Sequence, residues 1–563
     1  MPNRRIRWSV AALTTGALVG AGVTGAGATA QEEADRETVR ETVYVESDID
    51  SDSDGSPDRI AVELVRPAGT EDGEKVPVIA QPSPYYGLSA LQALRARGME
   101  LPIQAQGTPA HFGGWFDEYF VERGYAYLEP EMQGTARSDG CPTTGGTEDT
   151  ASITAVVDWI SGRAKAYDSD GAEVEADWAE PSVGMIGTSY NGTLPNAVAA
   201  TGIEEVKTIV PTAAISSWYD YTSAEGIRYS GWDGGYPKYL AEFVASSKAK
   251  QVCGDVFEQL AHDAEDATAD LNEFWDERDY RSDADKVEAS VLHVHGQADY
   301  NVKTTHAGRW WEALAEEGVD QKLWLHPGAH SDPTGATPEN RKFLEDWFDH
   351  WLKGEDNGVM DGPPVRVDRT DGSTDEYDSW PASEATEFHF GEDADGRGTL
   401  GEEKSPEASH PIEPGTVDGT EYIMGDALSE KDFRRTYATE PLTEERHLSG
   451  IAEVEVEFES GSDSTPVSAV LFSTDEDGSN PEFITRGAVD GKNHDSLREG
   501  EELVPGEKYS AEFELEPRDA VVGEGKRLVL AIVANYPDYV SEDAASDGLK
   551  IHLDGSKVKL SLD

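Results

Sequence analysis

The sequence predicts an α/β domain built on a mostly parallel sheet, interrupted by a helical insertion and followed by an all-β sandwich. Three observations predict it. Short apolar runs alternate with helical periodicity from Glu41 to Leu352. That alternation breaks between 213 and 289, where Trp218, Trp232 and Trp275 stand among polar, helix-like stretches and many tyrosines. From Pro363 onward helical spacing stops, and short alternating strands separated by turns take over.

In chain order, "ETVYVES" and "RIAVELVRP" read as two strands around an acidic turn. "VPVIAQPSPYY" is a buried strand running into a loop. "YFVERGYAYLEPEMQGTARSDG" gives a helix end, a strand and a Gly-rich loop. Ile153, Val156, Val157 and Ile160 fall at helical spacing. "PSVGMIG", "VKTIVPTAA", "SVLHVHG" and "KLWLHPG" are further strands, and "FLEDWFDHWLKGEDNGV" is the last helix before "VRVDR" opens the β-only part. The expected division is an export signal at 1–30, a catalytic domain at 31–212 and 290–355, a helical cap at 213–289 and a sandwich at 360–563.

The 563 residues carry 46 Lys and Arg against 111 Asp and Glu, a formal net charge of −65. Such a surface repels nucleic acid and anionic lipid, so neither is expected as a partner. The acids are spread through every region, which suits a protein adapted to high salt, where counter-ions screen the repulsion. An ordinary acidic secreted protein is the plainer alternative.

Arg4, Arg5 and Arg7 precede an apolar, small-residue stretch from Trp8 to about Val23, and Ala28-Thr29-Ala30 offers a cleavage point before Gln31. The mature chain is therefore expected outside the cell, with no membrane attachment after cleavage. Arg4-Arg5 lacks the usual flanks of a twin-arginine signal, and both export routes stay open. The two cysteines, Cys141 and Cys253, are free to pair in that compartment, though sequence gives no distance between them. The turn from Asp48 to Asp58 resembles the start of a calcium loop, but Ala61 stands where the pattern requires Glu, so a solvated hairpin turn is expected. With neither HExxH nor CxxC, no metal or other cofactor is expected.

The chemistry centres on "VGMIGTSYNGTLPN". A strand would deliver Ser189 to a tight turn before a helix, with Gly187 and Gly192 letting strand and helix approach closely. This is the nucleophile-elbow arrangement of α/β-hydrolases, although Asn191 stands where the second glycine usually falls. A serine hydroxyl needs a base, and the base an orienting acid, in the order Ser, acid, His for this fold. Asp299 follows one predicted strand and His330 the next, so Ser189, Asp299 and His330 obey the order at the strand ends where such groups gather. His293 and His295 share a strand face and are expected to be structural, His326 to be packed, and Asp332 to sit awkwardly close to the base.

"SPYYG", "DWISGRAKAY", "GMIGTSYNGTLPN", "AAISSWYDY", "HGQADYNVK" and "PGAH", in that order, resemble the X-Pro dipeptidyl-peptidases and, more distantly, the cocaine-esterase-like and α-amino-acid ester hydrolases. The resemblance implies Ser189 as nucleophile, Asp299 as acid and His330 as base. It implies an oxyanion hole from the Tyr190 amide and the Tyr85 hydroxyl, with Tyr86 as the other possible donor. It also implies a C-terminal jelly roll. Trp218, Tyr219, Asp220 and Glu225 become candidates for gripping a proline ring and the substrate's free amine. The implied activity is removal of N-terminal X-Pro dipeptides from peptides; an acyl-ester or α-amino-acid ester hydrolase is the alternative. The acidic stretch expected after "GYP" does not follow it, and ahead of the catalytic domain, where long relatives carry a helical domain, only the export signal and a short acidic lead are expected.

Overall fold

The computed structural model describes residues 38–88, 112, 114–231, 235–264, 268–414, 417, 419–541 and 548–563. The expected export signal and Trp232 lie outside these residues.

The catalytic domain is one twelve-stranded sheet. Its strands are β1 (Thr38–Glu46), β2 (Arg59–Pro67), β3 (Val76–Ala80), β4 (Ala126–Pro130), β5 (Ala166–Tyr167), β6 (Glu173–Val174), β7 (Ala179–Thr188) and β8 (Val206–Thr212). A short hairpin in the cap contributes β9 (Ser223–Ala224) and β10 (Ile227–Arg228), and β11 (Ser290–Gly296), β12 (Gln321–His326), β13 (Val365–Asp368) and β14 (Thr374–Tyr377) complete the large sheet. Its spatial order is β14-β13-β12-β11-β8-β7-β3-β4-β2-β1-β5-β6. From β13 through β4 the pairings are parallel, and the edges are antiparallel.

The fully buried runs of β3, β11 and β12, and of β8 apart from Lys207, follow from helices covering both faces. One face packs the helices Thr147–Ile160 and Tyr190–Ala199 through Ile153, Val156, Leu194 and Val198. The other packs Phe116–Val121 and Pro338–Lys353 through Phe120, Leu344, Trp347 and Phe348. Parallel register sends the C-terminal ends of β7, β8, β11 and β12 to one edge, so the loops after them meet there.

Between β8 and β11 the chain forms the cap, whose helices include Trp218–Thr222, Tyr236–Val244 and Gly254–Asp263. Cys253, just before the last of these, is disulfide-bonded to Cys141 in the loop after β4, with Cα atoms 5.7 Å apart. The cap is thereby fastened to the catalytic domain.

One strand departs from the expectation. "VRVD" does not open the sandwich: it lies parallel to β12 and extends the catalytic sheet. Val365 and Val367 bury their side chains with Leu323, Leu325, Trp311 and Trp380, an apolar seat that alternating valines fit as well as they fit a sandwich. The β-sandwich proper begins at Ala385–Glu392 and closes around a ten-stranded sheet with its own core, which includes Val454, Val456, Leu471, Leu530 and Ile551. The cap hairpin packs into it: Ala224, Ile227 and Tyr229 share a cluster with Val470, Phe472, Tyr536 and Val540. No helix among the described residues is long and apolar enough to cross a membrane.

Candidate active site

Ser189 sits between β7 and the helix Tyr190–Ala199 with φ 64° and ψ −131°. Positive φ in a residue that has a Cβ is strained, and such strain persists only where the surroundings enforce it. Here they do. A Cβ at Gly187 would lie 2.4 Å from the Asn191 carbonyl oxygen, and one at Gly192 would lie 2.5 Å from that of Gly187. The two glycines are what allows strand and helix to close this tightly. The Ser189 N–H stays in the sheet, donating to Thr212 O at 2.9 Å, while its carbonyl accepts from Gly192 and Thr193. The hydroxyl is thus carried on a turn held from both sides, at a helix start whose amides favour negative charge.

Asp299 and His330 come together at the ends of β11 and β12. His330 Nδ1 lies 2.6 Å from Asp299 Oδ2. The other carboxylate oxygen accepts from the N–H groups of Asn301 (2.9 Å) and Val302 (3.0 Å). Asp299 is fully buried, whereas the His330 ring keeps about a quarter of its surface open. Gly296 makes the approach possible: a Cβ there would stand 2.2 Å from the Ala329 carbonyl. The two loops are stitched by Gln297 N–H to His326 O and Ala298 N–H to Gly328 O.

The other histidines have structural partners. His293 Nε2 pairs with Gln321 Oε1 at 2.9 Å, and His295 Nε2 with Val302 O at 2.9 Å. His326 Nδ1 accepts from Gly328 N–H. Burial holds both His293 and His326 down at about 4, so neither is protonated near neutrality. Asp332 caps its own turn by accepting from Thr334 N–H.

Tyr190 and Tyr85 meet edge to face with ring centroids 6.2 Å apart. Tyr86 is occupied, since its hydroxyl donates to Gln81 O at 2.8 Å. The Tyr85 hydroxyl has no hydrogen-bond partner among the described residues, and burial raises its pKa, so it remains an O–H donor. The Tyr190 ring is anchored below: its hydroxyl donates to Asp149 Oδ2 and accepts from Gly145 N–H, both at 2.8 Å. Asp149 also accepts from the Thr143 amide and from Gln133. It was not singled out from sequence; an acid in the first turn of a helix that begins beside a Gly-rich loop was the available signal.

The four cap candidates separate. Trp218 packs against Tyr190 (4.9 Å) and Tyr221 (5.7 Å), and its indole N–H donates to Tyr280 at 3.0 Å. It walls the same aromatic cluster that Tyr221, Tyr236 and Asn301 extend, the Tyr221 hydroxyl lying 3.1 Å from Asn301 Oδ1 and 3.3 Å from the Tyr236 hydroxyl. Tyr221, Tyr236 and Asn301 were also missed; cap tyrosines are too numerous for sequence to rank. Tyr219 turns away, its hydroxyl donating to Ala269 O and accepting from Gly226 N–H.

Asp220 and Glu225 do not present free carboxylates. Asp220 Oδ2 takes Arg281 at 2.7 Å and Arg309 at 2.9 Å, and Glu225 Oε1 takes Arg309 at 3.0 Å. Arg309 also binds Glu514 of the sandwich at 2.6 Å. Burial alone would raise the Asp220 carboxyl, but Arg281 and Arg309 outweigh it and hold it at about 2. Burial pushes Glu225 up to about 7, against the pull of Arg309. Asp220 and Glu225, the candidates for the substrate amine, are both engaged with arginine, and through Arg309 and Glu514 they tie cap, catalytic domain and sandwich together.

The sequence matches the family model described as X-Pro dipeptidyl-peptidase (S15 family) over residues 54–332 and that of the X-Pro dipeptidyl-peptidase C-terminal non-catalytic domain over 357–559. A Bacillus cereus protein provisionally named Xaa-Pro dipeptidyl-peptidase is 36% identical over 519 residues, covering 89% of this chain and 86% of that one. The chain belongs to the S15 family of X-Pro dipeptidyl-peptidases, a family of serine hydrolases. The Xaa-Pro dipeptidyl-peptidase of Lactobacillus helveticus is 29% identical over 524 residues, covering 84% of this S15 chain and 61% of that protein. Two solved structures share the fold at 15% identity. A CocE/NonD family hydrolase from Staphylococcus aureus aligns over 93% of both chains with TM-score 0.69, and an α-amino acid ester hydrolase over 98% of this chain and 100% of that one with TM-score 0.63.

Proposed function

We propose that this S15 protein is a secreted serine exopeptidase that releases N-terminal X-Pro dipeptides through an acyl-enzyme. The observation that carries the reading is the 2.6 Å contact between His330 Nδ1 and Asp299 after β11 and β12, on the same sheet edge as the strained Ser189 turn after β7. In this reading Ser189 Oγ attacks the carbonyl carbon of the second residue while His330 Nε2 takes its proton. Asp299 fixes the tautomer and stabilises the imidazolium. The oxyanion is met by the Tyr190 N–H and the Tyr85 O–H, in a site where preorganised donors act at full strength. The tetrahedral adduct collapses, the leaving amine departs with the His330 proton, and water cleaves the ester by the same route in reverse. Tyr236, partly exposed and backed by the buried Tyr221 and Trp218, offers an aromatic surface suited to a proline ring.

Release of dipeptide from a panel X-Ala, X-Gly and X-Pro in the first two positions tests the substrate. Fast turnover of Ala-Pro-p-nitroanilide with weak or absent turnover of the others is expected; equal rates across the panel contradict it. Acyl-ester hydrolysis by the same triad is the second reading, favoured by the shared fold with the CocE/NonD and amino acid ester hydrolases. Cleavage of simple esters without anilide cleavage selects it.

Secretion is supported by the basic and apolar start of the sequence and by the Cys141–Cys253 disulfide, since such bonds persist in oxidising compartments. Salt adaptation is supported by the charge of −65. The melting temperature should rise with sodium chloride up to molar concentration; a flat or falling curve contradicts this.

A further inference from the structure

The loop from Gln297 to Thr304 has two faces. One side presents Asp299 to His330 and Asn301 to Tyr221. The other side meets the C-terminal sandwich. Gln297 Oε1 accepts from the Asp519 backbone N–H at 2.9 Å. The Tyr300 ring, 53% exposed, lies under the Arg486 guanidinium at 5.1 Å, with Arg518 beside it. Lys303 is buried against the Tyr229 ring at 3.4 Å and faces Glu516. Arg486 in turn is fixed by the sandwich's own groups, its Nη1 donating to the Tyr536 hydroxyl at 3.2 Å and its Nε lying 3.6 Å from Glu516 Oε1. The catalytic domain holds the loop through the Gln297 and Ala298 amides, through His295 to Val302 O and through His330 to Asp299, whose other oxygen ties the loop to itself at Asn301 and Val302. Tyr300, which follows Asp299 directly, turns the other way and meets Arg486 of the sandwich.

We infer that the sandwich positions the catalytic acid: Arg486, through the Tyr300 ring, and the Asp519 backbone, through Gln297, clamp the loop that sets Asp299 against His330. This rests on Asp299 being the triad acid. Arg486 and Tyr300 are positioning residues. They do not touch the reacting atoms, and they matter because a loop displaced by a fraction of an ångström misorients the imidazole.

Arg486→Met and the surface variant Tyr300→Ala should each lower kcat by about 10- to 100-fold, the range that small misplacements produce, with KM within about twofold. Tyr300→Phe keeps the ring beneath the Arg486 guanidinium, losing only the hydroxyl's hydrogen bond with Arg518, and should restore most of kcat. The double variant Arg486→Met/Tyr300→Ala should be no slower than the worse single one, because both remove the same contact. Asp299→Asn is assayed in parallel. If it abolishes turnover while Arg486→Met and Tyr300→Ala leave kcat within about twofold, or if their effects multiply, the clamp is overturned and the triad stands. If Asp299→Asn is itself near the parent rate, the triad assignment falls and the clamp falls with it. Should Arg486→Met fail to fold, Tyr300→Ala against Tyr300→Phe decides alone: equal kcat in the two overturns the proposal.

Discussion

Asp299 and Asp220 are both almost wholly buried carboxylates reached through loops that leave the same end of the sheet, yet they do opposite work. Asp299 faces an imidazole and two backbone amides, with no arginine or lysine in ion-pair contact among the described residues. Asp220 faces two guanidinium groups. A carboxylate paired with fixed cations is electrostatically finished and serves as a joint. One held by amides beside a histidine has negative charge left over, which in the proposed mechanism stabilises an imidazolium that appears only during turnover. Asp149 is a third variant, a buried acid that accepts from the Tyr190 hydroxyl and backbone amides and so steadies the residue after Ser189. Burial is common to all three; the partner sets the role.

Substituting the acids separately breaks the comparison if it is wrong. Asp299→Asn should cut kcat by about 10⁴ with an unchanged melting temperature, because the amide favours the wrong imidazole tautomer. A rate near the parent's would place the acid elsewhere. Tyr85→Phe should lose about 10²–10³ in kcat at nearly constant KM, the cost of one oxyanion donor. A change in KM alone would make Tyr85 a substrate-packing residue.

At the joint the effect should be on stability. The folded-state value of Glu225, about 7, lies above the ordinary 4.5, so its contribution is fully present below about 4.5 and is lost as pH rises through about 7. Asp220 has the opposite sign: its depressed value makes a contribution present above 3.8 and lost as pH falls through about 2. Glu225→Gln removes the penalty of ionising a buried acid. Its stability relative to the parent should climb between pH 5 and 8 by up to about 3 kcal/mol, with kcat little changed. Urea unfolding at the two pH values measures it. A gap that does not vary with pH would mean Glu225 is already ionised throughout.

The residues proposed as the triad stood out in the sequence because that chemistry restricts residue type and order, and the structure brings two of them, Asp299 and His330, within 2.6 Å. A serine between Gly187 and Gly192 after a strand, then an acid and a histidine each closing a later strand, leaves few alternatives. The structure adds why the glycines are there, and adds Gly296, whose missing side chain lets the His330 loop lie against the Asp299 loop. The cap was not legible at the same level. Nothing local to Asp220 or Glu225 announces Arg309, which arrives from a helix beyond β11. Tyr219 and Tyr221 read alike, but helical geometry turns one toward Ala269 and the other toward Asn301. "VRVD" alternates as a sandwich strand would, and only the apolar seat beside β12 decides where it pairs.

The central claim is that Ser189 is activated by His330 under the direction of Asp299. Treatment with a fluorophosphonate, followed by peptide mass spectrometry, tests it most directly. The account predicts a single adduct on Ser189 that forms in the parent protein and fails to form in His330→Ala. An adduct on another serine, or labelling of Ser189 that is indifferent to the loss of His330, would contradict it.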